Sequence, residues 1–141
     1  MPKHCFTYGS LMCEDIMAAV CGERIDRMTA RPARLAGFAR HPVVGEAYPG
    51  MIPSPGSLVS GVLYLNLPAT AWPRLDRFEG EMYERRLVRV QTEDGATLAA
   101  STYVFRPEFA QRLTDGEWDF AAFLREGKAR FTTLYLGFRK I

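Results

Sequence analysis

Phe6-Thr7-Tyr8-Gly9-Ser10-Leu11 marks the point at which the sequence pattern changes from strand to helix. The apolar run from Cys5 to Tyr8 predicts a buried first strand, and Gly9 breaks it. The segment from Asp15 to Val20 predicts the helix that follows. Backbone N–H groups at such a turn lack helical partners, and a helix start carries partial positive charge. The turn is suited to hold a carboxylate or an oxyanion, although an ordinary tight turn would read the same way.

The composition describes an ordinary globular chain of moderate size. The 141 residues predict one domain, residues 1–141, large enough for a core and a cavity. Hydrophobic residues make up 48% and charged residues 24%, which argues against disorder. The net charge is only +2 and the charges are interspersed, so the sequence gives little support to a nucleic-acid partner.

Several features bear on location and on metal binding. No apolar run approaches the roughly 20 residues that span a bilayer, and Met1-Pro2-Lys3-His4 leads directly into the strand. We therefore predict a cytoplasmic protein without a membrane partner. The cysteines Cys5, Cys13 and Cys21 are odd in number and lack a C-x-x-C pair, which argues against a disulfide framework and against a zinc site. We expect buried thiols, and a nucleophile built from Cys5 and a histidine, His4 or His41, is the less favoured alternative.

The rest of the chain alternates between strand and helix patterns. The predicted elements are an extended segment from Met28 to Arg40, strands Ser57 to Leu67, Tyr83 to Gln91 and Thr97 to Phe105, and helices Pro68 to Phe78 and Glu117 to Leu124. Gly45 to Gly56 is rich in proline and glycine and predicts turns or irregular strand edges. Gly61 predicts a bulge or a close backbone approach, and Asp94-Gly95 predicts a hairpin turn.

These elements define a fold class. The hairpins favour a mixed or antiparallel sheet over a doubly wound parallel one. We therefore predict an α+β fold, a small mixed or antiparallel β-barrel with two or three flanking short helices. The C-terminal helix, through Trp118 and Phe123, would cover an open end of the sheet. A ligand cavity is expected at the mouth of the barrel.

A second informative stretch runs from Leu75 to Arg85. Asp76, Glu79 and Tyr83 would share one face if the helix continued through them. Glu79 follows the aromatic Phe78 and precedes a glycine, and burial beside that ring would raise its pKa above the free value of about 4.3. The plainer interpretation is a charge at a helix end, or a partner for Arg85.

Taken together, these motifs resemble a known family. The matching segments are Tyr8-Gly9-Ser10-Leu11, Tyr48-Pro49-Gly50-Met51-Ile52-Pro53, Gly61-Val62-Leu63-Tyr64 and Leu75-Asp76-Arg77-Phe78-Glu79-Gly80 with Tyr83 and Arg85. They are similar to the gamma-glutamylcyclotransferase-like superfamily, specifically its short AIG2-like branch. The resemblance implies a small barrel with flanking helices, a substrate-binding turn and Glu79 as catalytic acid/base. Tyr8, Gly9, Ser10, Leu11 and Tyr83 are the substrate-binding candidates.

The resemblance also implies a reaction. A gamma-glutamyl amide carries its own nucleophile, the α-amine, which attacks the γ-carbonyl to give 5-oxoproline and a free amine. This small-molecule reaction requires neither a metal nor a cofactor. Many cyclotransferases acting on gamma-glutamyl-amino acids read Tyr-Gly-Ser-Asn-Leu, whereas Leu11 directly follows Ser10 here, so the substrate class stays open. The alternatives are a non-catalytic module that binds a small carboxylate on the same fold, and a Cys/His hydrolase.

Overall fold

The computed structural model describes residues 3–22 and 29–132, and the strands in these ranges close into a barrel. The strands are β1 (Cys5–Thr7), β2 (Thr29–Pro42), β3 (Pro49–Leu65), β4 (Tyr83–Thr92) and β5 (Thr97–Phe105). They follow the order β1-β3-β2-β4-β5 around the barrel. The pairs are antiparallel except β1 with β5, which run parallel and close the barrel. The predicted small mixed barrel is therefore confirmed.

Short helices flank this barrel. They are α1 (Glu14–Cys21), α2 (Ala71–Glu79), α3 (Phe120–Ala122) and α4 (Lys128–Thr132), with 3-10 turns at Ser10–Met12 and Pro107–Arg112 and a π-helical turn at Phe123–Gly127. Gly22 ends α1 in the left-handed region, with φ of 73°, and Gly80 ends α2 with φ of 82°. Glycine adopts such angles without the steric cost that a side chain would bring. Within the described ranges, none of these helices has the length and apolarity needed to cross a membrane.

The apolar residues form two layers on opposite faces of the sheet. The alternation along β1 shows this directly, because Cys5 packs in one layer and Phe6 in the other. One layer contains α1 and α2 and lies between the helices and the barrel wall. The other consists of strand residues and the adjoining Tyr8, and fills the barrel: Phe6, Tyr8, Ala33, Leu35, Met51, Val59, Leu63, Val90, Ala100 and Val104. The helices therefore cover one outer face and leave the start of α1 and the end of α2 near β1.

Close contact between β1 and β3 depends on Gly61. A Cβ atom built there would overlap the carbonyl oxygen of Thr7 and would lie 2.9 Å from Cζ of Phe6. The Thr7 hydroxyl also donates to the Val62 carbonyl at 2.8 Å. The predicted close approach at Gly61 is confirmed, and it fixes the strand that leads into the Gly9-Ser10-Leu11 turn.

The prediction of turns or irregular strand edges from Gly45 to Gly56 is confirmed, although the strand starts before the predicted Ser57. Turns and bends occupy only residues 44–48, and β3 begins at Pro49. Pro49 is tolerated because it is the first residue of the strand, where no ladder N–H is needed. The irregularity lies further on, where β2 pairs Ala36 with Leu58 but Phe38 with Pro53, so residues 54–57 bulge out opposite Gly37.

Two predicted helix starts need correction. The helix predicted from Pro68 starts at Ala71, and it ends at Glu79 before Gly80, as expected, so it does not continue to place Asp76, Glu79 and Tyr83 on one face. The C-terminal helix does not start at Glu117 either. It starts at Phe120, where the Asp119 side chain accepts hydrogen bonds from the backbone N–H groups of two residues in the first turn.

Candidate active site

A cavity of about 100 Å³ opens where the end of β1, the end of α2 and the start of β3 meet. All six residues that the sequence singled out line it: Tyr8, Gly9, Ser10, Leu11, Glu79 and Tyr83. The structure therefore brings the Gly-Ser turn and the acidic residue together from positions about seventy residues apart in the sequence. Their roles in substrate binding and catalysis stay predictions.

The turn itself is a short 3-10 helix, Ser10–Met12. Its first closed hydrogen bond runs from Met12 N–H to the Gly9 carbonyl at 3.0 Å, so the amides that open the turn have no acceptor inside it. Side chains hold the turn from outside. The Arg40 guanidinium donates to the Tyr8 carbonyl at 2.8 Å, and the Tyr64 hydroxyl donates to the Leu11 carbonyl at 2.7 Å. The amide groups are therefore fixed in direction before any ligand arrives.

Gly9 is needed for close packing and not for a left-handed backbone. Its φ is −130°. A Cβ atom at this position would lie 2.8 Å from Cδ of Pro49, which also lines the cavity. A glycine is therefore required here because the backbone of residue 9 packs directly against the Pro49 ring on β3.

Tyrosine hydroxyls brace the walls of the cavity. Tyr8 donates to the Tyr103 carbonyl at 2.6 Å, and Tyr83 donates to the Pro49 carbonyl at 2.7 Å. Both tyrosines are buried, and each bond joins two different strands or a strand and the turn. The net contribution of such a hydrogen bond to folding stability is about 1 kcal/mol, but leaving a buried carbonyl without a donor costs more. Tyr8 and Tyr83 therefore shape the cavity as well as lining it.

Glu79 is the last residue of α2, and its partly exposed side chain faces the cavity. Protein atoms replace most of the water around the carboxyl group, and this desolvation raises its pKa to about 8. Among the described residues, no ion pair or hydrogen bond involves this carboxyl group. A carboxyl group with such a pKa can both take and give a proton near neutral pH.

The other acidic residue of α2 has a structural role. Asp76 accepts a hydrogen bond from the Tyr103 hydroxyl at 2.7 Å and lies 3.6 Å from the Arg85 guanidinium. Arg85 also lies over the Trp72 ring, 5.1 Å from its centroid. Arg85 therefore pairs with Asp76 and not with Glu79, the partner that the plainer interpretation of the sequence gave it. These contacts join α2 to β4 and β5 and so fix the end of the helix that carries Glu79.

The raised pKa predicts how stability depends on pH. The folded chain keeps the Glu79 proton up to about pH 8, whereas the unfolded chain loses it near pH 4.5. Tighter proton binding by Glu79 therefore contributes fully to folding stability below the pKa of the unfolded chain, and this contribution is lost as pH rises towards the pKa of the folded chain. Relative to Glu79→Gln, wild-type stability should fall by about 2 kcal/mol between about pH 5 and about pH 7. Urea unfolding of both proteins measures this difference, with the exposed Glu81→Gln as control. If the free energy of unfolding changed with pH in the same way in wild type and Glu79→Gln, the raised pKa of Glu79 would be contradicted.

The cysteine alternative does not fit the structure. Cys5 is fully buried, and burial, with a further contribution from Glu79, raises the pKa of its thiol well above the ordinary value. The nearby His4 ring accepts a hydrogen bond from the Asn66 backbone N–H at 3.1 Å through Nδ1. A buried neutral thiol is a poor nucleophile. The prediction that all three thiols are buried is confirmed.

Sequence reasoning missed part of the cavity lining. The additional described residues are Phe6, Thr7, Tyr48, Pro49, Phe78, Tyr103 and Phe131. Tyr48 and Pro49 begin the segment Tyr48-Pro49-Gly50-Met51-Ile52-Pro53 that resembles the family, and Phe78 precedes Glu79. The sequence therefore gave a reason to place these three residues near the site. Tyr103 and Phe131 lie in strand and helix patterns that gave no sign of a site.

The described residues form a small closed barrel in which the Glu79 carboxyl group and the Gly9-Ser10-Leu11 turn line one cavity. Comparison with known proteins agrees. The family described as "Gamma-glutamyl cyclotransferase, AIG2-like" matches residues 5–120. AIG2-like protein C of Arabidopsis thaliana is 30% identical over 129 residues, which cover 91% of this chain and 73% of that protein. The chain belongs to the AIG2-like gamma-glutamyl cyclotransferase family.

Solved structures extend this agreement to the fold. A solution structure of an Arabidopsis thaliana protein superposes with a TM-score of 0.68 at 28% identity, covering 94% of this chain and 87% of that one. A structure of a gamma-glutamyl cyclotransferase superposes with a TM-score of 0.63 at 20% identity, covering 77% of this chain and 74% of that one. The second likeness is one of fold alone.

Proposed function

We propose that this protein is a cofactor-independent gamma-glutamyl cyclotransferase that acts on a small gamma-glutamyl amide and releases 5-oxoproline and a free amine. The observation that carries the proposal is the position of Glu79, whose carboxyl group faces the same cavity as the Gly9-Ser10-Leu11 turn. The family membership supports the same reaction class.

Glu79 is the group that moves protons in this proposal. The ionised carboxyl takes a proton from the substrate α-ammonium, whose pKa of about 8 lies near that of Glu79. The neutral amine then attacks the γ-carbonyl carbon, and a C–N bond forms as the carbonyl becomes an oxyanion. Glu79 gives its proton to the leaving nitrogen, and the original C–N bond breaks. A second proton passes from the ring nitrogen to the released amine by the same route, so the carboxyl group ends ionised, as it began.

The turn supplies hydrogen-bond donors for the negative charges of the substrate and of the reaction intermediate. Amide groups of the Gly9-Ser10-Leu11 turn, with the Ser10 hydroxyl, can bind the substrate α-carboxylate or stabilise the oxyanion. A folded substrate also places the amine and the carbonyl in contact, and such intramolecular positioning contributes about 7–11 kcal/mol in favourable cases. In this proposal Glu79 moves the protons, and the turn binds the negative charges of the substrate.

The proposal predicts one product from several substrates. Purified protein incubated with a panel of gamma-glutamyl amides should release 5-oxoproline, detected by liquid chromatography and mass spectrometry. Matched amides that are acetylated on the α-nitrogen should not react, because they lack the nucleophile. Amine release from the acetylated amides at a similar rate would contradict the proposal. A thermal shift with the whole panel and no product would instead identify a binding module.

A further inference from the structure

Three aromatic rings make one continuous side of the cavity. Tyr48, Phe78 and Phe131 all line it. The Phe131 ring centroid lies 6.0 Å from that of Phe78 and 6.3 Å from that of Tyr48, with interplanar angles of 73° in both pairs. This is the edge-to-face arrangement that aromatic pairs prefer. We call these three residues the aromatic wall.

The aromatic wall is assembled from three separate parts of the chain. Tyr48 precedes β3, Phe78 lies on α2 and Phe131 lies on α4. Phe131 comes after residue 120, where the match to the family ends. It is held in place by Phe123, whose ring centroid is 5.7 Å away, and Lys128 of α4 contacts Asp15 of α1 at 3.0 Å. This side of the cavity therefore depends on a segment that the family match does not include.

The chemistry of the wall limits which part of a substrate can occupy it. This step rests on the proposed function. The glutamyl half of a gamma-glutamyl amide carries an ammonium and a carboxylate, and burying such charges against apolar rings costs free energy. The polar turn and Glu79 suit that half. The variable half of the substrate is the substituent on the leaving amine, which the rings can contact.

We propose that the aromatic wall is the subsite for the leaving amine and selects gamma-glutamyl amides whose amine carries an uncharged aromatic substituent. Rings buried in such a site gain both apolar burial and edge-to-face contacts. A carboxylate on the same substituent would lose water, and the hydroxyl of Tyr48 is the single polar group that the three wall side chains offer in its place.

A pair of substrates tests this selection directly. The ratio of kcat/KM for gamma-glutamyl benzylamide to that for gamma-glutamyl methylamide should be at least about tenfold, because each methylene-sized apolar group is discriminated by about that factor. Gamma-glutamyl phenethylamide should likewise exceed gamma-glutamyl-phenylalanine, which adds only a carboxylate. A benzyl-to-methyl ratio near one, or a preference for the carboxylate, would overturn the proposal.

Variants assign the selection to the wall. Phe131→Leu should lower the benzyl-to-methyl ratio at least about threefold, and Tyr48→Leu, on the partly exposed side, provides a second test if the first variant unfolds. The ratio does not depend on the fraction of folded enzyme. Phe109→Leu is the matched control, since this partly buried ring lies outside the described cavity lining, and its ratio should equal that of the wild type. Unchanged ratios in both wall variants would exclude the wall as the subsite.

A binding measurement separates this proposal from the reaction itself. Calorimetry on Glu79→Gln should show tighter binding of the benzylamide than of the methylamide, with or without turnover in the wild type. Equal affinities would contradict the aromatic wall. Failure of the wild type to convert any amide, with the binding preference intact, would contradict the proposed reaction and leave the subsite standing.

Discussion

Glu79→Gln should lose turnover of gamma-glutamyl amides by about 10²–10⁴-fold, the usual contribution of a positioned acid/base. The amide side chain has nearly the same shape but cannot take a proton from the α-ammonium or give one to the leaving amine. Steady-state release of 5-oxoproline by wild type and variant measures the effect. The loss should appear mainly in kcat, because the turn that holds the substrate is unchanged.

A neighbouring carboxylate provides the control. Glu81→Gln removes an exposed acid two residues further on and should keep wild-type activity. Circular dichroism and thermal unfolding should show that Glu79→Gln is folded, and at pH 8 it should be at least as stable as the wild type. Activity within a few-fold of the wild type in Glu79→Gln would remove Glu79 from the mechanism.

Gly61→Ala should destabilise the fold by about 3 kcal/mol, at the upper end of the usual cost of overpacking. The added methyl group would overlap the Thr7 carbonyl oxygen, which is backbone and cannot move without separating β1 from β3. Since β1 leads directly into the Gly9-Ser10-Leu11 turn, catalytic activity should fall with stability. Urea unfolding followed by circular dichroism measures the free energy.

The adjacent residue separates this effect from a general loss of strand stability. Ser60→Ala places a methyl group on the exposed face of the same strand and should change stability by less than about 0.5 kcal/mol. A similarly small change in Gly61→Ala would mean that β1 and β3 are not packed as closely as described.

The sequence predicted the core of the site because its signals are local. Gly9 breaks an apolar run, and Gly80 stops a helix immediately after Glu79, so local pattern marks both positions, while each pattern alone also fits an ordinary turn or helix end. The hairpin at Asp94-Gly95 and the returning strand Thr97–Phe105 also follow from short-range chemistry. The resemblance to a family then supplied what the local patterns lacked, namely that the two motifs meet.

The features that escaped prediction depend on tertiary contacts. Phe131 reaches the cavity only because α3, the π-helical turn and α4 carry the chain to that side. Tyr103 is one alternating residue of β5 until the fold places it beside Tyr8 and Asp76. The extension of β3 back to Pro49 depends on pairing with Pro42 at the end of β2, and sequence alone shows only the helix-breaking prolines.

The proposed reaction requires that the substrate amine, and not water, attacks the γ-carbonyl in the cavity that Glu79 and the turn line. The most direct test is turnover of a gamma-glutamyl amide in water labelled with heavy oxygen, followed by mass spectrometry of the products. Attack by the amine should give 5-oxoproline without heavy oxygen, in equal amount to the released amine. Release of glutamate that carries one heavy oxygen atom, without 5-oxoproline, would show hydrolysis and contradict it.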